Sequence, residues 1–338
     1  MIRKNDILTL HKYLIVFFTC LYFFEYYDYQ NPEPPIVRIA DPKFSLLGPY
    51  NATLPATDDV YRQLIDIKDF KFLLNPDPCK EYSSGLLLIV LVSSKPTNYQ
   101  HRMVIRNTWG RKIDSTKVLF LLGEQNKSSG TFHDTYNESA IYGDVILGNF
   151  IDAYHNMTYK HVMGLKWVAH HCPAAKYVLK TDDDMVVNSH GLRMFLARQL
   201  SPWGARGLMT CQLLEHTLVQ RSSRSKWRVS VEEFPDRYYP AYCAGWAILY
   251  SQDVVHKLLR IAQSIPQFWI DDVHITGTCA QMAGITVTPL KSLILTIPRA
   301  AVLTSLGPNF VSEFLFGPTD ISPKRMTKIW KAIPSRVG

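Results

Sequence analysis

The sequence predicts an α/β domain with a central mixed, largely parallel sheet flanked by helices, and three observations carry that expectation. Apolar, β-prone runs recur without internal polar alternation, the pattern of strands covered on both faces. Helical stretches lie between them, and such alternation makes parallel βαβ units. One run, in Lys176-Tyr-Val-Leu-Lys-Thr-Asp-Asp-Asp-Met-Val-Val-Asn188, ends in three consecutive carboxylates. Open α/β sheets bind their ligands outside the carboxyl ends of the strands.

Each element follows in order. Leu86-Leu-Leu-Ile-Val-Leu-Val92 is the first strand, and Thr97 or Asn98 can cap a helix running through Arg102 and Arg106 to Trp109-Gly110. Further strands are expected at 117–122, 144–147 and 176–179, with helices around 134–142 and 158–171 between them. After the acidic triplet come a helix at 189–200 with Asn188 as its cap, strand-like segments at 207–213, 227–231 and 244–250, and a helix at 252–264. No internal repeat interrupts this order.

At 338 residues, 47% hydrophobic and 20% charged, the chain suits one large α/β domain or two smaller ones. The formal charge of +8 is dispersed, and no nucleic-acid motif accompanies it, so it supports at most an anionic small ligand. Tyr13 to Phe24 is an uncharged apolar run preceded by Arg3, Lys4 and Lys12 and followed by Glu25 and Asp28, which puts its amino-terminal side in the cytosol. It is shorter than the ~20 residues that span a bilayer, but Ile7 to Leu10 can extend it, and the Glu-Tyr-Tyr-Asp-Tyr exit has no small-residue cleavage site. The expected layout is a cytosolic tail (1–12), an uncleaved signal-anchor transmembrane helix (13–29), a Pro-, Asp- and Asn-rich stem (30–80) and a luminal domain (81–338). Asn51, Asn126, Asn137 and Asn156 each open an N-glycosylation tripeptide, which agrees with a luminal side. Cys79, Cys172, Cys211, Cys243 and Cys279 allow two disulfides and one free thiol, with the pairing open and no zinc-like spacing.

The residue types that carry chemistry are few. Asp182, Asp183 and Asp184 are hard oxygen ligands suited to Mg²⁺ or Mn²⁺ beside a phosphate, against the plainer reading of a solvated turn. Asp271-Asp272 precedes a helix near Val273, where a carboxylate caps the helix or, aimed into a cleft, acts as a general base. Gly245 allows close backbone approach to a ligand, and Tyr242 and Trp246 offer flat faces for sugars, although core packing explains aromatic residues equally well. Arg102 and Arg106, four apart on one helix face, can meet a diphosphate or pair with carboxylates. Residues 215–224, with a Ser-Ser-Arg-Ser run, read as a mobile loop able to contribute acceptor contacts.

Six ordered blocks across residues 86–285 carry a resemblance: Arg102-Met-Val-Ile-Arg-Asn-Thr-Trp-Gly110, Phe120-Leu-Leu-Gly123, Glu138 with Asp144 to Thr158, Lys180 to Asn188, Tyr239 to Ser251, and Asp271-Asp-Val273 with Gly277. On these the chain resembles the inverting β-1,3-glycosyltransferases of the animal secretory pathway, the β-1,3-galactosyltransferase and β-1,3-N-acetylglucosaminyltransferase group. The resemblance implies a GT-A type nucleotide-sugar fold and a single-pass type II Golgi membrane enzyme. Its donor would be UDP-galactose or a UDP-N-acetylhexosamine, and its acceptor the 3-hydroxyl of a glycan on protein or lipid. It also implies that Asp184 holds Mn²⁺ or Mg²⁺, that Asp182 and Asp183 sit nearer the ribose and uracil, that Asp272 is the catalytic base, and that Arg102 and Arg106 lie by the donor pocket. The acceptor region would comprise Tyr242, Gly245, Trp246 and Asp271. The chain departs from that pattern at Asp271, where many members have Glu, and at Trp246, where several have Gly. The rival readings are hydrolysis of the nucleotide sugar and a non-catalytic luminal protein that keeps the fold and binds glycans.

Overall fold

The computed structural model describes residues 43–48, 61–77, 79, 85–111, 115–125, 134–290 and 292–334. The expected cytosolic tail, the anchor at 13–29, much of the stem and the tripeptides at Asn51 and Asn126 lie outside the described residues. No helix among the described residues is long and apolar enough to cross a membrane.

In chain order the strands are β1 (Ser45–Leu46), β2 (Phe72–Leu74), β3 (Leu88–Ser93), β4 (Thr116–Glu124), β5 (Val145–Ile151), β6 (Tyr177–Asp182), β7 (Ala205–Arg206), β8 (Met209–Leu214), β9 (Tyr242–Ser251) and β10 (Thr288–Pro289). Eight of them form one sheet in the order β10-β8-β9-β6-β3-β4-β5-β2, and β1 pairs with β7 alone. The centre, β6-β3-β4-β5, is parallel, while β9 runs antiparallel to both β6 and β8. The expected mixed, centrally parallel sheet is therefore present. All six residues of β3 are buried, as a strand covered on both faces requires.

The chain winds from β3 outward through β4 to β5, then returns to lay β6 on the other side of β3. That reversal makes a crevice at the carboxyl ends of β3 and β6, where Ser93 lies opposite Asp182. The acidic triplet thus leaves the sheet at the switch point.

Helices close the two faces: α1 (Tyr99–Asn107), α2 (Thr135–Tyr142), α3 (Met157–His171), α4 (Ser189–Met194) and α5 (Gln252–Ala262). Asp134 caps α2 through the Asn137 N–H, and Asn188 caps α4 through the Gly191 N–H. Asn98 stands at the cap position of α1 but makes no capping bond. Core residues of α3 and α5, among them Val162, Leu165, Val168, Val254 and Leu258, pack with Leu91, Leu121, Val178 and Ile248 of the sheet. Gly164 in α3 gives the close approach, since a Cβ there would sit 2.7 Å from Leu121 Cδ1. The disulfides are Cys79–Cys172 and Cys211–Cys243, and Cys279 is a buried free thiol.

Residues 227–231 do not form the expected strand. Residues 218–238 instead form an irregular excursion between β8 and β9, bridged at Leu218 and Tyr238. The Arg221 guanidinium donates to the backbone oxygens of Val229, Ser230, Phe234 and Asp236, satisfying carbonyls that a strand ladder would otherwise take. The mobile loop expected at 215–224 is thus tied to the rest of the excursion.

Of the two readings open for Arg102 and Arg106, the structure shows pairing with carboxylates. Arg102 is fully buried, and its donors go to Glu138, the Ser94 hydroxyl and the carbonyls of Lys95 and Pro96, so it has no donor left for a diphosphate. Arg106 pairs with Glu138 at 2.6 Å and with Asp144 at 2.8 Å, its guanidinium lying over Tyr142. Burial works to raise the Glu138 carboxyl, but the two guanidinium groups hold it down at about 2. This cluster fixes the loop after β3, whose Ser94 carbonyl also accepts from the buried Lys160 ammonium at 2.6 Å. Arg102→Ala leaves Glu138 short of a partner, so a loss of roughly 3–5 kcal/mol is expected, read as a lower urea midpoint. An unchanged midpoint would remove the cluster from its structural role.

Candidate active site

Period-two alternation puts Lys180 and Asp182 on one side of β6, with Asp183 turned the other way. Asp183 is buried, and its Oδ2 accepts from the Ser94 hydroxyl at 2.6 Å and from the Asn98 amide at 2.9 Å. That explains the missing cap on α1. Asp183 is a clamp between the triplet and the loop after β3, which the Arg102 cluster holds from behind.

Asp182 is half-buried, and its Oδ1 accepts from the Lys180 ammonium at 3.0 Å. Burial pushes the Asp184 carboxyl up to about 7, helped by the like charges of Asp182, Asp183 and Asp320. A cation relieves such crowding. Among the described residues no three His, Cys, Asp or Glu side chains converge into a ready-made metal cage. One or two carboxylates completed by substrate phosphates is nonetheless the usual way Mg²⁺ is held. The residues present therefore fit a divalent ion held by Asp184, with Asp182 adjacent.

Lys180 lies at the centre of the site. Its Nζ donates to the Gly245 carbonyl at 2.7 Å and to Asp182, and it lies 3.6 Å from Asp271 Oδ2. Burial alone would favour the neutral amine, but Asp182 and Asp271 outweigh it and raise its proton affinity. Asp271 also accepts from His161 Nδ1 at 2.9 Å. Burial works against its charge, yet the Lys180 ammonium and the His161 N–H hold its carboxyl well below the usual range.

Asp272 behaves oppositely. It opens a π-helical turn, Val273–Cys279, with its Oδ1 on the Val273 N–H at 2.8 Å. Burial, and then the fixed charge of Asp271, push its carboxyl up to about 7. Neighbouring carboxylates whose environments drive them apart are a recurrent acid–base arrangement, one staying charged while the other exchanges a proton near neutrality.

Gly245 gives room to this pair. A Cβ there would lie 3.2 Å from the Asp272 Cβ and 3.3 Å from its Oδ2. Tyr242 is not an open stacking face either, since it is buried with Val219, Val229, Tyr239, Trp269 and Val273. Trp246 is half-buried and donates its indole N–H to Gln212 at 3.2 Å. The exposed aromatic residue nearest the acidic charges is instead Tyr154, 44% exposed, which hydrogen-bonds to Trp227, whose ring lies under the Lys226 ammonium. Burial raises the Tyr154 hydroxyl's pKa, and the charges of Asp271, Asp272 and Asp182 add to that.

Sequence reasoning gave no role to Lys180, Glu138 and Tyr154, although they fall in the quoted blocks, and it passed over His161, Lys160 and Trp227. Lys180 was the most findable, as a charged residue inside an apolar strand and two positions before Asp182. Of the described glycosylation tripeptides, Asn137 is exposed on α2. Asn156 is half-buried and donates its amide to the Ile151 carbonyl, and Thr158 is buried against the Phe268 carbonyl. Gly245→Ala should cost about tenfold or more in any reaction that uses Asp272, because small misplacements of a catalytic group are expensive, while the fold is retained. Unimpaired turnover with the same melting temperature would show that Asp272 has room to move.

Comparison with known proteins agrees with this geometry. Residues 100–291 match the family model described as Galactosyltransferase. The chain is 30% identical over 259 residues to mouse beta-1,3-galactosyltransferase 2, covering 75% of this chain and 60% of that protein. It is 34% identical over 230 residues to gorilla beta-1,3-galactosyltransferase 5, covering 67% of this chain and 75% of that protein. It is 33% identical over 292 residues to mouse acetylgalactosaminyl-O-glycosyl-glycoprotein beta-1,3-N-acetylglucosaminyltransferase, covering 83% and 73% respectively. A buried carboxylate pair beside an acidic strand end, within a match that spans the site from α1 to β10, places this chain in the galactosyltransferase family.

Proposed function

We propose that the chain is an inverting hexosyltransferase that moves galactose or an N-acetylhexosamine from a UDP-sugar to the 3-hydroxyl of a glycan acceptor, forming a β-1,3 linkage. The observation that carries this reading is the placing of two acidic centres, both pushed up to about 7 by burial and like charge, whose neighbours Asp182 and Asp271 share one buried ammonium, that of Lys180. Asp184 is crowded by like charges at the end of β6, and Asp272 is crowded by Asp271 at the start of the π-helical turn. The family membership and the relatives' names support the reaction class. We place the fold in the GT-A type and the protein in the Golgi membrane as a single-pass type II enzyme, a reading that rests on the amino-terminal apolar run and its charge asymmetry.

The chemistry divides between the two centres. Asp184 would hold Mn²⁺ or Mg²⁺, which supplies charge neutralisation to a leaving diphosphate. Asp272 accepts the proton from the acceptor hydroxyl as that oxygen bonds to the anomeric carbon and the bond to UDP breaks. Displacement in a single step inverts the anomeric centre, so an α-linked donor gives a β-linked product. Lys180 keeps Asp271 charged and opposes the burial that raises the Asp182 carboxyl, and Tyr154 offers a face on which an acceptor sugar can stack.

Asp272 must be unprotonated to act, so transfer should fall as pH drops through about 7, where its carboxyl titrates. Asp272→Asn should lower transfer about 10²–10⁴-fold with UDP binding retained, measured with a panel of UDP-sugars and simple glycoside acceptors. Retained transfer would take Asp272 out of the base role. Failure of the wild-type chain with every donor, alongside preserved folding and no UDP binding, would favour a glycan-binding scaffold.

Metal binding has its own sign. The Asp184 carboxyl is raised, so the apoprotein loses stability as pH rises from about 4 through about 7 and this group ionises. A cation that binds the ionised form reverses that loss. Mn²⁺ should therefore raise the melting temperature more at pH 8 than at pH 5, and Asp184→Ala should remove the difference. An equal shift at both pH values would move the metal away from Asp184.

A further inference from the structure

Resting on the assignment of Asp272 as base, one more residue enters the reaction from behind the cleft. His161 is carried by α3 and is 1% exposed. Its Nδ1 lies 2.9 Å from Asp271 Oδ2, and its Nε2 lies 3.1 Å from the Tyr250 hydroxyl on β9. An ionised carboxylate only accepts, so Nδ1 carries the proton, and Nε2 is left to accept from the Tyr250 O–H. The groups that face the ring are Asp271, Lys180 and Asp182 from the site, Tyr250 from β9 and His274 from the π-helical turn. Burial keeps the imidazole neutral against them.

Asp271 has two neighbours of different kinds. Lys180, at 3.6 Å, supplies charge without direction, whereas His161, at 2.9 Å, supplies a directed hydrogen bond. Asp271 and Asp272 share a peptide bond at the first turn, so a shift of the Asp271 side chain that turns the backbone also turns Asp272, whose Oδ1 is held by the Val273 N–H. We propose that His161 is the positioning residue of this carboxylate pair: by donating Nδ1–H to Asp271 it pins that side chain inward and so holds Asp272 aimed at the acceptor. Tyr250 fixes the tautomer in which His161 does this.

The experiment uses the full chain with the UDP-sugar and acceptor that the wild type turns over. His161→Leu should lower kcat about 10–100-fold with the donor KM within about twofold, as loss of an orienting partner does, while His161→Asn, whose amide can reach Asp271, should recover most of it. Unchanged kcat in His161→Leu, or equal loss in both variants, overturns the proposal. The ¹⁵N imidazole spectrum of the wild type decides the same point without turnover and without any variant having to fold. A His161 ring protonated on Nδ1 and bare on Nε2 at pH 7 supports the proposal, and a bare Nδ1 overturns it. A wild type inactive with every donor would sink the hexosyltransferase reading, while the spectrum would still report on the bond between His161 and Asp271.

Discussion

The site depends on one buried ammonium. Lys180 lies on β6 between Asp182 on its own strand, the Gly245 carbonyl on β9 and Asp271 at the start of the π-helical turn. Those three belong to different parts of the chain, and the ammonium between Asp182 and Asp271 offsets the repulsion of two carboxylates inside the protein. Its charge also separates the behaviour of the acidic residues. Asp271, touched by both Lys180 and His161, stays ionised, whereas Asp272, facing Asp271, keeps a proton up to neutrality.

A second, independent charge cluster does for the loop after β3 what Lys180 does for the site. Arg102, Arg106, Glu138 and Asp144 are locked together, and Arg102 passes its orientation through the Ser94 hydroxyl to Asp183. Lys160 takes the Ser94 carbonyl from the other side and is itself paired with Asp152. The acidic triplet therefore divides: its middle member is anchored inward by these cations, which leaves the first and last turned toward the crevice. Alternation along an extended chain makes that division possible, and the clamp makes it permanent.

Much of this was legible in the sequence, because period and composition speak directly to strands such as β3 and β6 and to helices such as α3. The switch point was legible through the abrupt change from apolar run to carboxylates. The arginines stayed ambiguous between a diphosphate and carboxylate partners because a motif on a helix face gives their spacing but not what lies opposite, and Glu138 and Asp144 come from elements some 30 to 40 residues on. His161 was invisible for a related reason: on an apolar helix face it reads as a core residue, and its partner Asp271 is 110 residues away. Residues 227–231 carried a strand-like composition, but the Arg221 guanidinium took the carbonyls that a neighbouring strand would have needed.

That use of Arg221 has a bearing on how such a protein can diversify. A strand in this position would constrain every second side chain to the sheet beneath it, whereas residues 218–238 owe much of their shape to one guanidinium binding main-chain oxygens. Main-chain oxygens are the same whatever side chain accompanies them. The excursion that carries Trp227 can thus exchange its outward residues for others without rebuilding the sheet, provided Arg221 stays. New acceptor preferences could then arise on this surface while the acidic centres beneath are left untouched.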